Sequence, residues 1–161
     1  MPKELQLTAS DLKALVDDDI YEDLLQYKWY VTKWNCVGRT YRSPRNGKTR
    51  HISLPNHIMQ TFGILYDHKD RNGLNNLRDN LRVATNQQNS FNRSKRAGCS
   101  SKYKGVTYER SRATWRALIK YNGKTIHLGT FQTEIEAAVA YDDKATELFK
   151  EYAVLNFNAE T

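Results

Sequence analysis

The segment that decides the reading is Tyr66–Arg93, YDHKDRNGLNNLRDNLRVATNQQNSFNR. Ile64 to His68 reads as a short strand and Asn80-Leu81-Arg82-Val83-Ala84 as a second, with a loop of Asn, Asp and Gly between them. Thr85 precedes Gln88 by the spacing of a capping box, so a helix is expected to open there, carrying Asn89 in its first turn and a half. A strand end and a helix start that meet across such a hairpin can bring an oxygen of Asp67 and the amide oxygen of Asn89 onto one ion. His68 then stands beside it, facing a water, and Asn76 and Asn80 lie across the loop. A hard cation, Mg2+ (or Mn2+), takes oxygen ligands, keeps several waters and needs few protein groups, whereas zinc asks for more nitrogen or sulfur. Taken singly, Asn, Asp and Gly clusters are turn chemistry and an Asp-His pair is ordinary surface; the whole pattern points to a site.

Upstream, ASDLKALVDDDIYEDLLQY reads as a short strand or turn followed by an amphipathic helix near Asp18 to Tyr27, with Ile20, Leu24 and Leu25 as its apolar stripe. From Lys28 the period shifts towards two: WYVTKW, CVGRTYR and, after an Arg45-Asn46-Gly47-Lys48 turn, TRHISL. Together they predict a small basic antiparallel sheet. Pro55 suits the first turn of a short helix through Gln60, ended by Gly63.

Downstream, the polar, basic stretch 94–101 is the candidate linker between a domain at 1–93 and another at 102–161. YKGVTYE, TWRALIKY and KTIHLGTF are strand-like runs, and Asn122-Gly123 between the last two is a strong hairpin signal. Thr133-x-x-Glu136 is a second capping box, opening an alanine-rich helix that can lie close on a sheet. The fold class expected is therefore α+β: small sheets with short helices, then a separate three-stranded sheet with one packing helix.

In 161 residues, 25 Lys and Arg exceed 18 Asp and Glu, for a net charge of +7. That charge is segregated: residues 1–30 carry 3 basic and 7 acidic groups and 131–161 carry 2 and 7, whereas 31–130 hold +16. A folded chain with 3 Trp, 10 Tyr and 5 Phe and one strongly basic middle fits a polyanion-binding surface, which makes double-stranded DNA the expected partner. No protein partner is implied. No run approaches the ~20 apolar residues that span a bilayer, and MPKELQLTASDLK holds no apolar run of the kind a signal peptide uses, so none is expected there. A cytoplasmic chain is expected, with Cys36 and Cys99 as reduced bystanders. His51 and His57 are read as packing residues or phosphate contacts.

The quoted segment resembles the HNH nuclease motif of phage and bacterial homing endonucleases, and LVDDDIYEDLLQYKWY resembles the stretch that leads into it. The resemblance covers most of residues 5–93 and implies a ββα-metal finger. It implies that His68 is the general base, that Asp67 and Asn89 hold one divalent metal, and that Asn80 braces the loop orienting His68. Pro55 stands where relatives carry a histidine, and Lys69 and Arg71 where an apolar residue and a glycine are commoner. A guanidinium fork suits phosphate, so Arg78, Arg82 and Arg93 are candidate clamps.

Residues 101–158 resemble the AP2 DNA-binding domain through Tyr-Lys-Gly-Val, Leu-Gly-Thr-Phe, Glu-Ala-Ala-x-Ala-Tyr-Asp and the closing Asn-Phe. That family lays its sheet in the major groove. Strand alternation sends Trp115, Ala117 and Ile119 towards the helix with Ile126 and Leu128, and Arg116, Leu118 and Lys120 the other way with Thr125 and His127. Lys104, Arg116, Lys120 and His127 are the expected DNA contacts. Thr107, Glu109 and His127 replace two arginines and a tryptophan of the plant proteins, so a different sequence should be read. The function implied is a site-directed homing-type DNA endonuclease. Its rivals are a transcription regulator with an inactive HNH domain and an RNA-binding accessory protein.

Overall fold

The computed structural model describes residues 1–95 and 98–157; Arg96 and Ala97 of the expected linker and residues 158–161 lie outside them. The chain divides into two compact units, 1–85 and 86–161.

In the first unit β1 (Lys3–Gln6) and β2 (Lys13–Val16) pair antiparallel, Lys3 opposite Val16. The sequence reading expected no β1. Its alternation is only four residues long, and what holds it is burial of Leu5 against Ala14 and Val16 in the common core. α1 (Asp18–Leu24) follows and stops three residues before the expected Tyr27. The chain there tightens, Tyr27 N–H donating to Leu24 O at 3.2 Å, and the Trp29 indole N–H takes the same carbonyl at 2.9 Å. Leu25 is consequently exposed rather than part of the buried stripe.

β3 (Tyr30–Val31), β4 (Val37–Arg42) and β5 (Thr49–Ser53) form the expected basic antiparallel sheet in that order. α2 (Leu54–Ile58) has Ser53 as N-cap and Pro55 in its first turn. It ends before Gln60, which adopts a φ of 52° that a helix does not tolerate. Then come β6 (Tyr66–His68), a single 3-10 turn at Arg78–Asn80, and β7 (Leu81–Val83), which pairs antiparallel with β6. Ile64, expected in β6, lies outside it and is exposed. Leu5, Leu7, Val16, Leu24, Trp29, Val37, Leu54 and Ile58 make one core, and Leu74 of the loop packs against it. Trp29, 1% exposed at its centre, is the kind of side chain whose truncation costs about 3–5 kcal/mol.

The second unit begins with α3 (Asn86–Phe91), the helix expected after the second strand of the 66–93 segment. Here it packs with its own unit: the Phe91 ring stacks on Phe149 at 3.7 Å between centroids, and Gln87 Nε2 donates to Asn122 Oδ1 at 2.9 Å. β8 (Val106–Glu109), β9 (Thr114–Tyr121) and β10 (Lys124–Phe131) form an antiparallel sheet in the order β10-β9-β8. Asn122 and Gly123 have φ of 48° and 75°, the left-handed pair that a two-residue hairpin needs.

α4 (Glu134–Phe149) opens on a complete capping box: Thr133 Oγ1 accepts from Glu136 N, and the Glu136 carboxylate accepts from Thr133 N. Ala137 and Ala138 are fully buried and meet Val106 and Ala117 of the sheet, with Trp115 and Leu128 packed at the edge. Ile126 departs from expectation, being exposed although it pairs with buried Ile119. A bulge between His127 and Gly129 shifts the register beyond that pair, and Leu128 packs against the core as expected. A 3-10 turn at Lys150–Tyr152 ends the unit's regular structure. Beyond it, Asn156 hydrogen-bonds both backbone groups of Lys104, while buried Asp142 accepts from Asn156 N and Phe157 N at 2.9 Å. The chain as described is thus a mixed α/β protein with four small antiparallel sheets.

Candidate active site

Asp67 and His68 end β6, and alternation sends their side chains to opposite faces of the two-stranded ribbon. Asp67 is 3% exposed, and the charge that accompanies it is Arg82, its cross-strand partner. Arg82 Nε and Nη2 reach Asp67 Oδ2 at 2.9 and 2.8 Å. Arg82, expected as a phosphate clamp, is thus held against the carboxylate expected to hold the metal. The register pair was available to the sequence reading, since opposite charges facing each other across a ribbon attract.

His68 Nε2 lies 3.2 Å from Oδ1 of Asn76, a fully buried residue. Asn80 sits in the 3-10 turn and ties the loop together. Its Oδ1 accepts from Asp70 N at 3.1 Å, and its Nδ2 donates to Asp70 Oδ1 at 2.9 Å and Asn75 O at 2.8 Å. Its carbonyl takes Lys69 N at 2.9 Å. Burial pushes the Asp70 carboxyl up, but hydrogen bonds from Asn72 N and the Asn75 and Asn80 side chains, with His68 nearby, outweigh it and leave it lower than usual.

Gly73 is required in this loop, because a Cβ there would lie 2.0 Å from the Asn35 carbonyl. Beyond it, Arg78 is also engaged: Nη1 donates to Asp19 at 2.7 Å and its backbone N–H to Asp17 Oδ2 at 3.0 Å. The acidic N-terminal helix, read as packing, therefore holds the far end of the loop. Asn89 stands on α3, within the second unit.

Among the described residues no three His, Cys, Asp or Glu side chains gather as a metal cluster. A carboxylate and an asparagine amide oxygen are hard donors, the kind that suits a cation keeping its waters rather than zinc.

On the second unit the sheet face opposite α4 carries a cleft of about 320 Å3 lined by Glu109, Ser111, Arg112, Arg116, His127 and Thr130. Arg116 Nη1 donates to Glu109 Oε2 at 3.0 Å, and hydrogen bonds from Ser111 and Arg116 hold the Glu109 carboxyl below its usual range. His127 Nε2 is 3.4 Å from Thr130 Oγ1 on this face, and Lys120 is exposed there. Lys104 is used differently: its Nζ donates to the carbonyls of Phe91 and Arg93 at 2.5 and 2.7 Å, at the C-terminal end of α3. Arg93 is exposed.

Over 146 residues, 89% of this chain and 74% of the relative, the sequence is 36% identical to an uncharacterised HNH endonuclease of Acanthamoeba polyphaga mimivirus. The chain belongs to the HNH endonuclease family. This HNH chain is also 37% identical to protein 3.8 of Escherichia phage T7 over 86 residues, 52% of its own length and 68% of that protein. A 60-residue stretch is 42% identical to an AP2-like ethylene-responsive transcription factor of Arabidopsis thaliana, and a 59-residue stretch equally so to an APETALA2-like protein of rice. These stretches cover 17% and 14% of the plant proteins. The family member therefore carries an AP2-like domain as well. No family model matches the chain, and no solved structure matches it. Among the described residues no helix is long and apolar enough to cross a membrane.

Proposed function

We propose that this HNH protein is a site-directed, homing-type DNA endonuclease that hydrolyses a phosphodiester with His68 as general base and one divalent metal. Asp67 and Asn89 would hold the ion, which when bound neutralises charge building on the scissile phosphate and its leaving 3′ oxygen. The observation that carries the reading is the pairing, on one strand end, of a buried carboxylate with a histidine whose ring nitrogen is held by a buried amide. His68 removes a proton from the attacking water, the task of a general base within reach of it. Asn80 fixes the loop beside that ring through its bonds to Asp70 and Asn75.

Division of labour follows residues 1–93, 94–101 and 102–161 as nuclease, linker and reader. The reader presents Arg116, Lys120 and His127 to double-stranded DNA, with Arg93 on phosphate; Lys104 supports them by holding the end of α3. Arg78 and Arg82 act on the protein side, through Asp19 and Asp67.

Incubation of a supercoiled plasmid library with the full chain, with and without Mg2+ or Mn2+, tests the proposal. Metal-dependent cutting at defined sites is expected. His68→Ala, Asp67→Ala and Asn89→Ala should each lower it by at least ~10²-fold with DNA binding retained, and Asn80→Ala should lower it with metal affinity little changed. A folded His68→Ala protein that cuts at the wild-type rate overturns the assignment. Tight site-specific binding with no cutting under any metal would instead make the chain a DNA-binding regulator.

A further inference from the structure

We infer that Asn76 is a positioning residue that fixes which nitrogen of His68 carries the proton; the inference rests on the reading of His68 as the base. Asn76 is fully buried, and its Nδ2 donates to the carbonyl of Gly73 at 3.2 Å. A carbonyl oxygen only accepts, so that contact fixes the orientation of the amide: NH2 to Gly73, Oδ1 to His68. The amide oxygen facing His68 Nε2 at 3.2 Å is likewise unable to donate. Nε2 must therefore carry the hydrogen. In the neutral ring the lone pair is then on Nδ1, and Nδ1 is the atom through which His68 takes a proton from water.

The amide has little freedom to turn. Asn76 N donates to Leu15 O at 2.8 Å and Leu15 N to Leu74 O at 2.8 Å, with Leu15 and Asn75 forming a parallel bridge. Residues 74–76 thus run along β2, pinned on one side by Leu74 in the core and on the other by Arg78 N on Asp17. Through this strip the N-terminal hairpin sets the position of an amide that sets the state of the base. A structural asparagine would need only the Gly73 and Leu15 bonds; the third, to the histidine, is the one with chemical consequence.

The test is nitrogen NMR of the full chain, metal-free and labelled with [15N]histidine, near pH 8, above the ordinary imidazole pKa of ~6.5. A His68→Gln protein identifies the His68 signals among the four histidines. The wild type should show a single tautomer protonated at Nε2. Asn76→Ala should give an averaged pair of tautomers at His68 alone. Asn76→Asp, which keeps an acceptor, should retain the Nε2–H form. In cleavage assays Asn76→Ala should lower kcat by roughly 10-fold to 100-fold, the usual range for removing a partner that orients a reactive group, with KM nearly unchanged; Asn76→Asp should recover part of the loss.

A wild-type spectrum showing the Nδ1–H tautomer overturns the inference and needs no variant, so an unfolded Asn76→Ala leaves it decidable. An unchanged tautomer and kcat in folded Asn76→Ala overturns it as well. Should His68→Ala cut normally, it is the assignment of the base that fails, whatever the tautomer.

Discussion

The Asp67–Arg82 pair yields the sharpest quantitative expectation. Its side chains are only 4% and 14% exposed, so neither charge is well solvated and each depends on the other. Removing one partner of such a pair strands a buried charge at about 3–5 kcal/mol, and Asp67 retains other contacts, so the low end, about 3 kcal/mol, applies. For a unit of 85 residues that is a fall in Tm of roughly 12–24 °C on Arg82→Ala. Asp67→Asn added to Arg82→Ala should restore part of the loss, because no buried charge then remains without its counter-charge. If Asp67 is also the metal ligand, Mg2+ or Mn2+ takes over the counter-charge role in Arg82→Ala, returning up to about 2.7 kcal/mol at a hundredfold excess over Kd. Asp67→Asn should abolish that response. Thermal melts by circular dichroism across a metal titration measure all of this. Two outcomes would refute the argument: an Arg82→Ala protein within about 1 kcal/mol of wild type, or strictly additive effects of Arg82→Ala and Asp67→Asn.

Because the Asp70 carboxyl sits below its ordinary 3.8 in the folded chain, its contribution is present above about pH 4 and fades as pH falls through the lowered value. Urea midpoints of wild type and Asp70→Asn should therefore converge below about pH 4 and separate above it. Gly105→Ala should destabilise the second unit by about 2–5 kcal/mol. Its φ is 76° and the new Cβ would fall 1.9 Å from the Tyr141 ring, so a Tyr141→Ala background that relieves the effect in chemical denaturation would confirm the cause.

Much of the fold was legible because it is encoded locally. The φ-positive Asn122-Gly123 hairpin, the Thr133/Glu136 capping box and the basic strands at 37–53 each depend on a few neighbouring residues, and each formed as read. The Pro55 start of α2 belongs to the same class, whereas its Ser53 cap was not read. Strand β1 escaped because one buried leucine in four residues makes no recognisable period. Ile126 was misread because alternation assigns a residue's face but not how deeply it is covered: Ile126 pairs with buried Ile119 and is itself exposed.

At the candidate site, the sequence by itself determined that an aspartate and a histidine stand side by side at a strand end with an asparagine-rich loop after them. It could not say what holds them. Arg78 reaches Asp17 and Asp19 across about sixty residues, Asn76 is pinned to Leu15 across a similar span, and Lys104 N meets Asn156 from 52 positions away. Such pairings carry no spacing rule. They exist because closing a long loop has a cost that grows only slowly with its length, while a buried polar group left without a partner is penalised by about 1–3 kcal/mol. Which partner each group finds is therefore settled by the packing of its own unit's core, around Trp29 and Leu74 in the first and around Ala117, Ala137 and Ala138 in the second, and only the folded chain reveals it.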